Sequence, residues 1–214
     1  MQTRVLVAYA SSAGTTGKVA EAIGKELAAP ESDSTEGAAA TLEVDVRPIR
    51  EVKDLGAYQA VVVGGPMIMG WHREAAGFVK RHRDSLGLVP VAYFFTAMSL
   101  TRVTARTPGD VPVFEDPALA KAPSNPERLS FKERYATVAN YLKPALAAAP
   151  GVRPVSAAFF AGKLDLTRLN IFQQLFVLVV VGAQPGDRRN WIAIRAWAAG
   201  LRPQLAGPSP RAAK

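Results

Sequence analysis

Four of the six side chains in Ser11-Ser12-Ala13-Gly14-Thr15-Thr16 are hydroxyls, and the segment joins an apolar run, Val5 to Ala10, to a stretch with helical spacing. A loop of this kind ending at a helix N-terminus offers backbone N–H groups, side-chain donors and a favourable dipole to a phosphate. Lys18 follows Gly17, but the spacing G-x-x-x-x-G-K-[ST] is absent, and so is G-x-G-x-x-G. Both omissions weigh against a nucleoside triphosphate and a dinucleotide. A phosphate held by neutral hydroxyls and amides suits a monophosphate ester. Ser and Thr are also ordinary helix caps, and this loop by itself leaves the two readings balanced.

Two later loops carry further chemistry. Gly64-Gly65-Pro66-Met67-Ile68-Met69-Gly70-Trp71-His72 follows a third apolar run. Its glycines allow close backbone approach. A flexible methionine and a large aromatic suit a flat, polarisable ring, although Trp71 also reads as a core or rim aromatic. His72 is taken as structural. Thr96-Ala97-Met98-Ser99-Leu100 follows a fourth run and combines hydroxyl and small residues. No catalytic acid or base and no metal ligand set is assigned.

The elements that must position these loops alternate along the chain. Val5 to Ala10, Ala60 to Pro66 and Val89 to Thr96 are largely apolar, as strands buried on both faces are. Leu42 to Val46 alternates, which predicts a strand with one wetter face. A fifth strand is predicted within Val155 to Leu166. Helices are predicted over Thr16 to Ala29, Glu74 to Arg83, Phe131 to Ala149 and Asn190 to Leu201. In the first of these, Val19, Ala20, Ile23 and Leu27 share a face. Pro30 to Ala40 reads as a surface loop. Thr101 to Ser130 contains Pro108, Pro112, Pro117, Pro123 and Pro126 and reads as an insertion without regular structure throughout. Strand–helix alternation implies a parallel sheet covered on both faces. Ligands of such sheets sit beyond the strand carboxyl ends, where strand order reverses. All three loops fall there.

The bulk properties set the frame. A chain of 214 residues, 49% of them hydrophobic, suits one domain with insertions. The absence of cysteine removes disulfides, thiolate metal sites and cysteine nucleophiles. The net charge of +8 reads either as solubility or as contact with an anionic surface. No helix-turn-helix, zinc or aromatic RNA-binding signature accompanies it, so no nucleic-acid partner is expected. The first apolar run is too short for a signal-peptide core, which points to a cytoplasmic protein. Leu175 to Val181 is far short of the roughly 20 residues needed to span a bilayer.

The three loops, in this order, resemble the flavodoxin family, whose phosphate loop reads Ser/Thr-x-Thr-Gly-x-Thr after the first strand. Ser11 to Thr16 keeps that frame, with Ala13 at the usual Thr, so one hydroxyl is lost and the N–H kept. The resemblance implies an α/β fold: a doubly wound five-stranded parallel sheet, order 2-1-3-4-5, in three α/β/α layers. It implies FMN as cofactor. The phosphate would lie on Ser11, Ser12, Ala13, Gly14, Thr15 and Thr16. The ring would lie between Pro66, Met67, Ile68, Met69, Gly70 and Trp71 and the opposite loop, Thr96, Ala97, Met98 and Ser99. The Met69–Gly70 peptide is the candidate neighbour of flavin N5. One FMN-binding domain is expected over residues 1–203, with insertions near 101–130 and 167–185 and a flexible tail at 204–214.

Trp71 to Ala75, Phe78 to His82, Gly162 to Leu164 and Gly186 to Trp191, with Ile194 and Trp197, are similar to the branch that includes the menaquinone-dependent protoporphyrinogen oxidases. That branch commonly shows Arg-Asp-Trp before the last helix. This chain has Arg189-Asn190-Trp191, which keeps a cap and loses a charge. The resemblance implies an oxidoreductase that passes electrons from a small substrate such as protoporphyrinogen, through FMN, to a quinone, and hence a place in heme biosynthesis. A non-enzymatic electron carrier is the alternative, and a flavin-free interaction module the third reading. Leu169, Phe172, Leu175, Phe176 and Val179 share one helical face, with Arg168 before them and Arg188 and Arg189 after. Such a helix fits peripheral contact with an anionic membrane through residues 168–189. A core helix or a homodimer contact fits the same pattern. The insertion Thr101–Ser130 adjoins the expected flavin edge and is expected to form a lid over a substrate.

Overall fold

Apolar runs that cannot face water on either side pair with one another. In the computed structural model, which describes residues 3–11, 14–30, 42–67, 70–164 and 186–206, they do so side by side. The strands are β1 (Thr3–Tyr9), β2 (Leu42–Pro48), β3 (Ala60–Pro66), β4 (Val91–Ala97), β5 (Leu100–Thr101), β6 (Val113–Glu115), β7 (Ala120–Lys121), β8 (Ser156–Ala161), β9 (Lys163–Leu164) and β10 (Gly186–Asp187). The main sheet has the order β2-β1-β3-β4-β8-β6 and is parallel throughout. The helices are α1 (Thr15–Ala28), α2 (Arg73–Arg81), α3 (Arg83–Leu86), α4 (Phe131–Tyr135), α5 (Val138–Ala148) and α6 (Trp191–Ala206). Ser12, Ala13, Ile68, Met69 and the apolar segment Leu169–Gly182 lie outside the described residues.

The period of two along each strand divides the core into two layers. Leu6, Val63, Tyr93, Phe95 and Phe159 face α2 and α5. Val5, Val7, Val62, Phe94 and Phe160 face α1 and α6. Phe95 and Phe159 stack with centroids 4.7 Å apart on the first side, and Phe160 meets Trp197 edge-on at 5.6 Å on the second. The fold is therefore the doubly wound, three-layer α/β/α arrangement expected of a flavodoxin-like chain.

The five expected strands take the expected order, and a sixth is added. β6 comes from within the proline-rich insertion and pairs in parallel with β8 on the open edge. Pro112 and Pro117 bracket it, and edge strands tolerate proline because one row of N–H groups faces away from the sheet. Ala157 N–H donates to Pro112 O at 2.9 Å, and Asp116 N–H to Phe159 O at 3.0 Å, so the edge is stitched at both ends.

Helix bounds shift where tertiary bonds intervene. The helix expected over Phe131 to Ala149 is broken at Ala136, whose C=O accepts Thr101 N–H at 2.6 Å. Thr137 then caps α5, accepting Asn140 N–H at 3.3 Å. The last helix runs through Pro203 to Ala206, so the first residues assigned to a tail are helical. Burial of Leu205 against the α1 side of the core holds that turn. The Arg202 guanidinium, itself buried, donates to the carbonyls of Leu27 and Ala29 at the end of α1. A cation suits a helix C-terminus, and this one joins the two helices of that layer. Among the described residues, no helix is long and apolar enough to cross a membrane.

Candidate functional site

The carboxyl ends of β1, β3 and β4 bring the three loops together. At the first, Gly14 is the N-cap of α1, at φ 74 and ψ −8, and among the described residues no side chain caps the first turn. The first turn also carries no acidic residue. Of the two readings of this loop, the Ser/Thr cap is therefore not the one formed. A bare helix N-terminus presents N–H donors and the positive end of the dipole. The left-handed backbone at Gly14 favours glycine there. Gly17 lets the helix start lie on the Tyr9 ring, since a Cβ at 17 would stand 2.9 Å from Tyr9 Cε2.

Two hydroxyls flank this N-terminus. Ser11 Oγ is buried and has no hydrogen-bond partner among the described residues. Buried polar groups are almost always paired, so this hydroxyl stands out. Thr16 is buried, and its Oγ1 lies 3.1 Å from Thr96 Oγ1 at the end of β4. That bond fastens the first loop to the third. Gly14 is exposed and Thr15 half-buried beside them.

The second loop is short and closed on itself. Met67 and Trp71 form a bridge, His72 N–H donates to Pro66 O at 3.1 Å, and Met67 N–H donates to Thr96 O at 2.9 Å. Gly70 sits in the turn at φ 116. Burial raises the pKa of the Tyr135 phenol above the usual value, and the Gly70 backbone offsets part of that rise. The structure gives Trp71 a different place from the ring-facing one expected. Its indole is buried, 5.4 Å from the Tyr93 ring and 5.3 Å from the Phe95 ring, beneath the loop. The apolar bulk of an indole is better buried there than left at the strand ends, so Trp71 supports the loop from the core.

In the third loop, Ala97 is buried, whereas Met98 and Ser99 are half-buried. Gly162 N–H donates to Ala97 O at 2.9 Å, which continues the β4–β8 pairing to the rim. The Tyr141 hydroxyl donates to Ser99 O at 3.3 Å. Burial pushes the Tyr141 pKa up to about 12, so this group stays a proton donor to the loop at any working pH.

Several residues that hold the site escaped the sequence reading. Tyr141 braces the third loop from the segment after the insertion, and the Tyr135 ring packs edge-on against the Tyr141 ring with centroids 6.0 Å apart. Asp116 is fully buried and acts as a hub. It accepts Ala118 N–H at 2.9 Å, Ala161 N–H at 3.1 Å and Asn190 Nδ2–H at 2.9 Å. Asn190 Oδ1 meanwhile accepts Ala193 N–H at 3.2 Å, the helix cap expected of it. The residue type at 190 is thereby explained: the position must accept for the helix and donate to Asp116, and an aspartate cannot do both. Arg189 is paired with the Asp187 carboxylate and lies over the Trp191 ring at 4.6 Å. That pairing holds the Asp187 pKa down at about 2.

A family model described as a flavodoxin domain matches residues 6–189. No curated protein matches. Among solved structures, an archaeal flavodoxin is similar at 13% identity and TM-score 0.48, covering 96% of this chain and 100% of its own. A single-residue mutant of a flavodoxin from Pseudomonas aeruginosa is 16% identical at TM-score 0.46, covering 96% and 100%. An oxidoreductase from Corynebacterium diphtheriae is 14% identical at TM-score 0.45, covering 96% and 98%.

Proposed function

We propose, starting from the fact that this chain belongs to the flavodoxin-domain family, that it binds FMN and passes electrons from a small substrate to a quinone-type acceptor. The observation that carries the cofactor is the uncapped N-terminus of α1 beside the unpartnered Ser11 hydroxyl. These donors fit a phosphate monoester, whose oxygens accept hydrogen bonds and carry the charge that a helix N-terminus favours. The phosphate would be held by Ser11, Ser12, Ala13, Gly14, Thr15 and Thr16. The ring would be flanked by residues 66–70 and by Thr96, Ala97, Met98 and Ser99. Trp71 enters this set only as the support beneath the loop.

When bound, FMN supplies the redox chemistry; the chain supplies orientation and electronic surroundings. Thr16 and Thr96 fix the spacing between the phosphate end and the β4 loop. Tyr141 holds the Ser99 carbonyl. The third loop is thus set before a ligand arrives, which lowers the ordering cost of binding. Protoporphyrinogen is the substrate favoured by the similarity of residues 71–82 and 162–197 to the oxidase branch. Holoprotein incubated with protoporphyrinogen and a menaquinone analogue is expected to form protoporphyrin faster than free FMN does. No rate above the FMN control, together with reversible reduction by a flavodoxin reductase, assigns the chain to the carriers instead.

Peripheral contact with an anionic membrane through residues 168–189 belongs to the same reading and rests on the sequence pattern there. Arg189 contributes little to it, because its charge is spent on Asp187. Sedimentation with anionic and with neutral vesicles tests it: retention by anionic vesicles alone is expected, and equal recovery in both supernatants contradicts it.

A further inference from the structure

A cavity of about 250 Å³ opens between the carboxyl ends of β4 and β8, apart from the α1 N-terminus at the end of β1. Its floor is the third loop, Ala97 to Thr101, and its outer wall is the insertion around β7 together with α4. The walls are apolar at Leu100, Leu119, Ala136 and Ala161. Three cations, Lys121, Lys132 and Arg188, reach the same space. The Lys121 and Arg188 side chains make no ion pair among the described residues.

The one acid in the lining is already committed. Glu133 accepts Ser124 N–H at 2.6 Å, Ser130 N–H at 2.8 Å and the Ser130 hydroxyl at 2.7 Å. It closes the capping box of α4 and so is already engaged within its own helix. The cations, in contrast, stand on pinned backbone. Lys121 lies in the β5–β7 pair, where Arg102 N–H donates to its carbonyl at 2.8 Å. Arg188 N–H donates to Gly162 O at 3.2 Å. The wall itself is bonded to the sheet and to the start of the last helix through Asp116.

We infer that this cavity is a binding site for a small carboxylate with an apolar, single-ring body. A volume of about 250 Å³ holds roughly eight water volumes at ~30 Å³ each, which is the scale of one ring and its acid group. Lys121 and Arg188 would meet the carboxylate, the guanidinium with its two-donor edge, while Leu100, Leu119 and Ala161 take the ring. The floor of the cavity, Ala97 to Ser99, is also the proposed flank of the flavin. That the carboxylate is the redox partner rests on the FMN reading; that it occupies the cavity does not.

Benzoate is the probe, with benzamide as its uncharged match and inorganic phosphate as an anion without the ring. Binding to the full chain is followed by heteronuclear NMR titration, with FMN per chain read separately from absorbance. Saturable benzoate binding is expected to shift the amides of Ala97 to Thr101 and Lys121, with benzamide and phosphate at least ten times weaker. Lys121→Gln and Arg188→Gln are each expected to weaken benzoate about tenfold with unchanged melting and FMN content, the scale of one charged hydrogen bond. Equal affinity for benzoate and benzamide overturns the inference. So does benzoate binding that neither variant changes, phosphate binding as strong as benzoate, or the absence of any saturable shift. Benzoate binding as described in a chain that takes up no FMN leaves the cavity standing and removes only the flavin reading.

Discussion

The hydroxyls of Thr16 and Thr96 lie 3.1 Å apart in a buried contact, although 80 residues separate them. One lies in the first turn of α1 and the other near the end of β4, so a single hydrogen bond fixes the proposed phosphate loop against the loop expected beside the flavin. Thr96→Val leaves Thr16 buried and unpaired. We expect a loss of about 1–2 kcal/mol in urea denaturation and roughly tenfold weaker FMN binding. A variant that matches the parent in both measurements removes this bond from the site.

Asn190→Asp sets a second carboxylate against Asp116, which now takes a hydrogen bond from the asparagine amide. The variant is expected to lose about 2–4 kcal/mol near neutral pH, because a donor becomes a like charge. The paired carboxylates would share a raised folded-state pKa. The folded chain then binds a proton that the unfolded chain releases, so the deficit grows as pH rises and shrinks as pH falls. Denaturation at pH 7.5 and pH 5 distinguishes this from a pH-independent loss of packing.

Asp187 has its pKa lowered to about 2 from 3.8, first by hydrogen bonds from the Arg189 side chain. A depressed carboxylate stabilises the fold above its unfolded value and loses that contribution as pH falls from about 3.8 towards 2. The group is partly exposed, so the contribution to stability is small. The titration itself is the sharper readout. The side-chain carboxyl resonance should follow a midpoint near 2 in the parent and move towards 3.8 in Arg189→Gln. An unchanged midpoint would show that the pair does not persist in solution.

Gly64→Ala tests the close passage of β3 beside β4. A Cβ at 64 would stand 2.0 Å from the Phe94 ring, which is fully buried. Overpacking of that kind costs about 1–3 kcal/mol. Trimming the ring as well, in Gly64→Ala with Phe94→Leu, should recover part of the loss; no recovery would place the strain elsewhere.

The strands were legible because burial on both faces leaves a continuous apolar signature, and Val5 to Tyr9, Ala60 to Pro66 and Val91 to Ala97 follow it closely. β6 was not legible. Three residues between prolines carry no period, and their pairing is set by β8, more than forty residues on. The loop Ser11–Thr16 was legible as a choice between cap and anion site; which residue becomes the N-cap, here Gly14, depends on where the helix starts and is not set by residue type. Trp71 read both as a ring neighbour and as a core aromatic, because residue type alone does not tell which way an aromatic turns; its indole is buried on Tyr93 and Phe95. Asn190 read as a lost charge; its second bond, to Asp116, depends on where the insertion folds. Tyr141 was invisible as a site residue because it acts through its hydroxyl on a backbone group far away in sequence.

The phosphate grip is tested most directly by titrating the purified apoprotein with FMN and, in parallel, with riboflavin. The two ligands share the ring and differ at the phosphate, which the α1 N-terminus and Ser11 would bind. One FMN per chain is predicted, bound at least a hundredfold more tightly than riboflavin, a difference of about 2.7 kcal/mol. Equal affinity for the two, or no uptake of either, would contradict it.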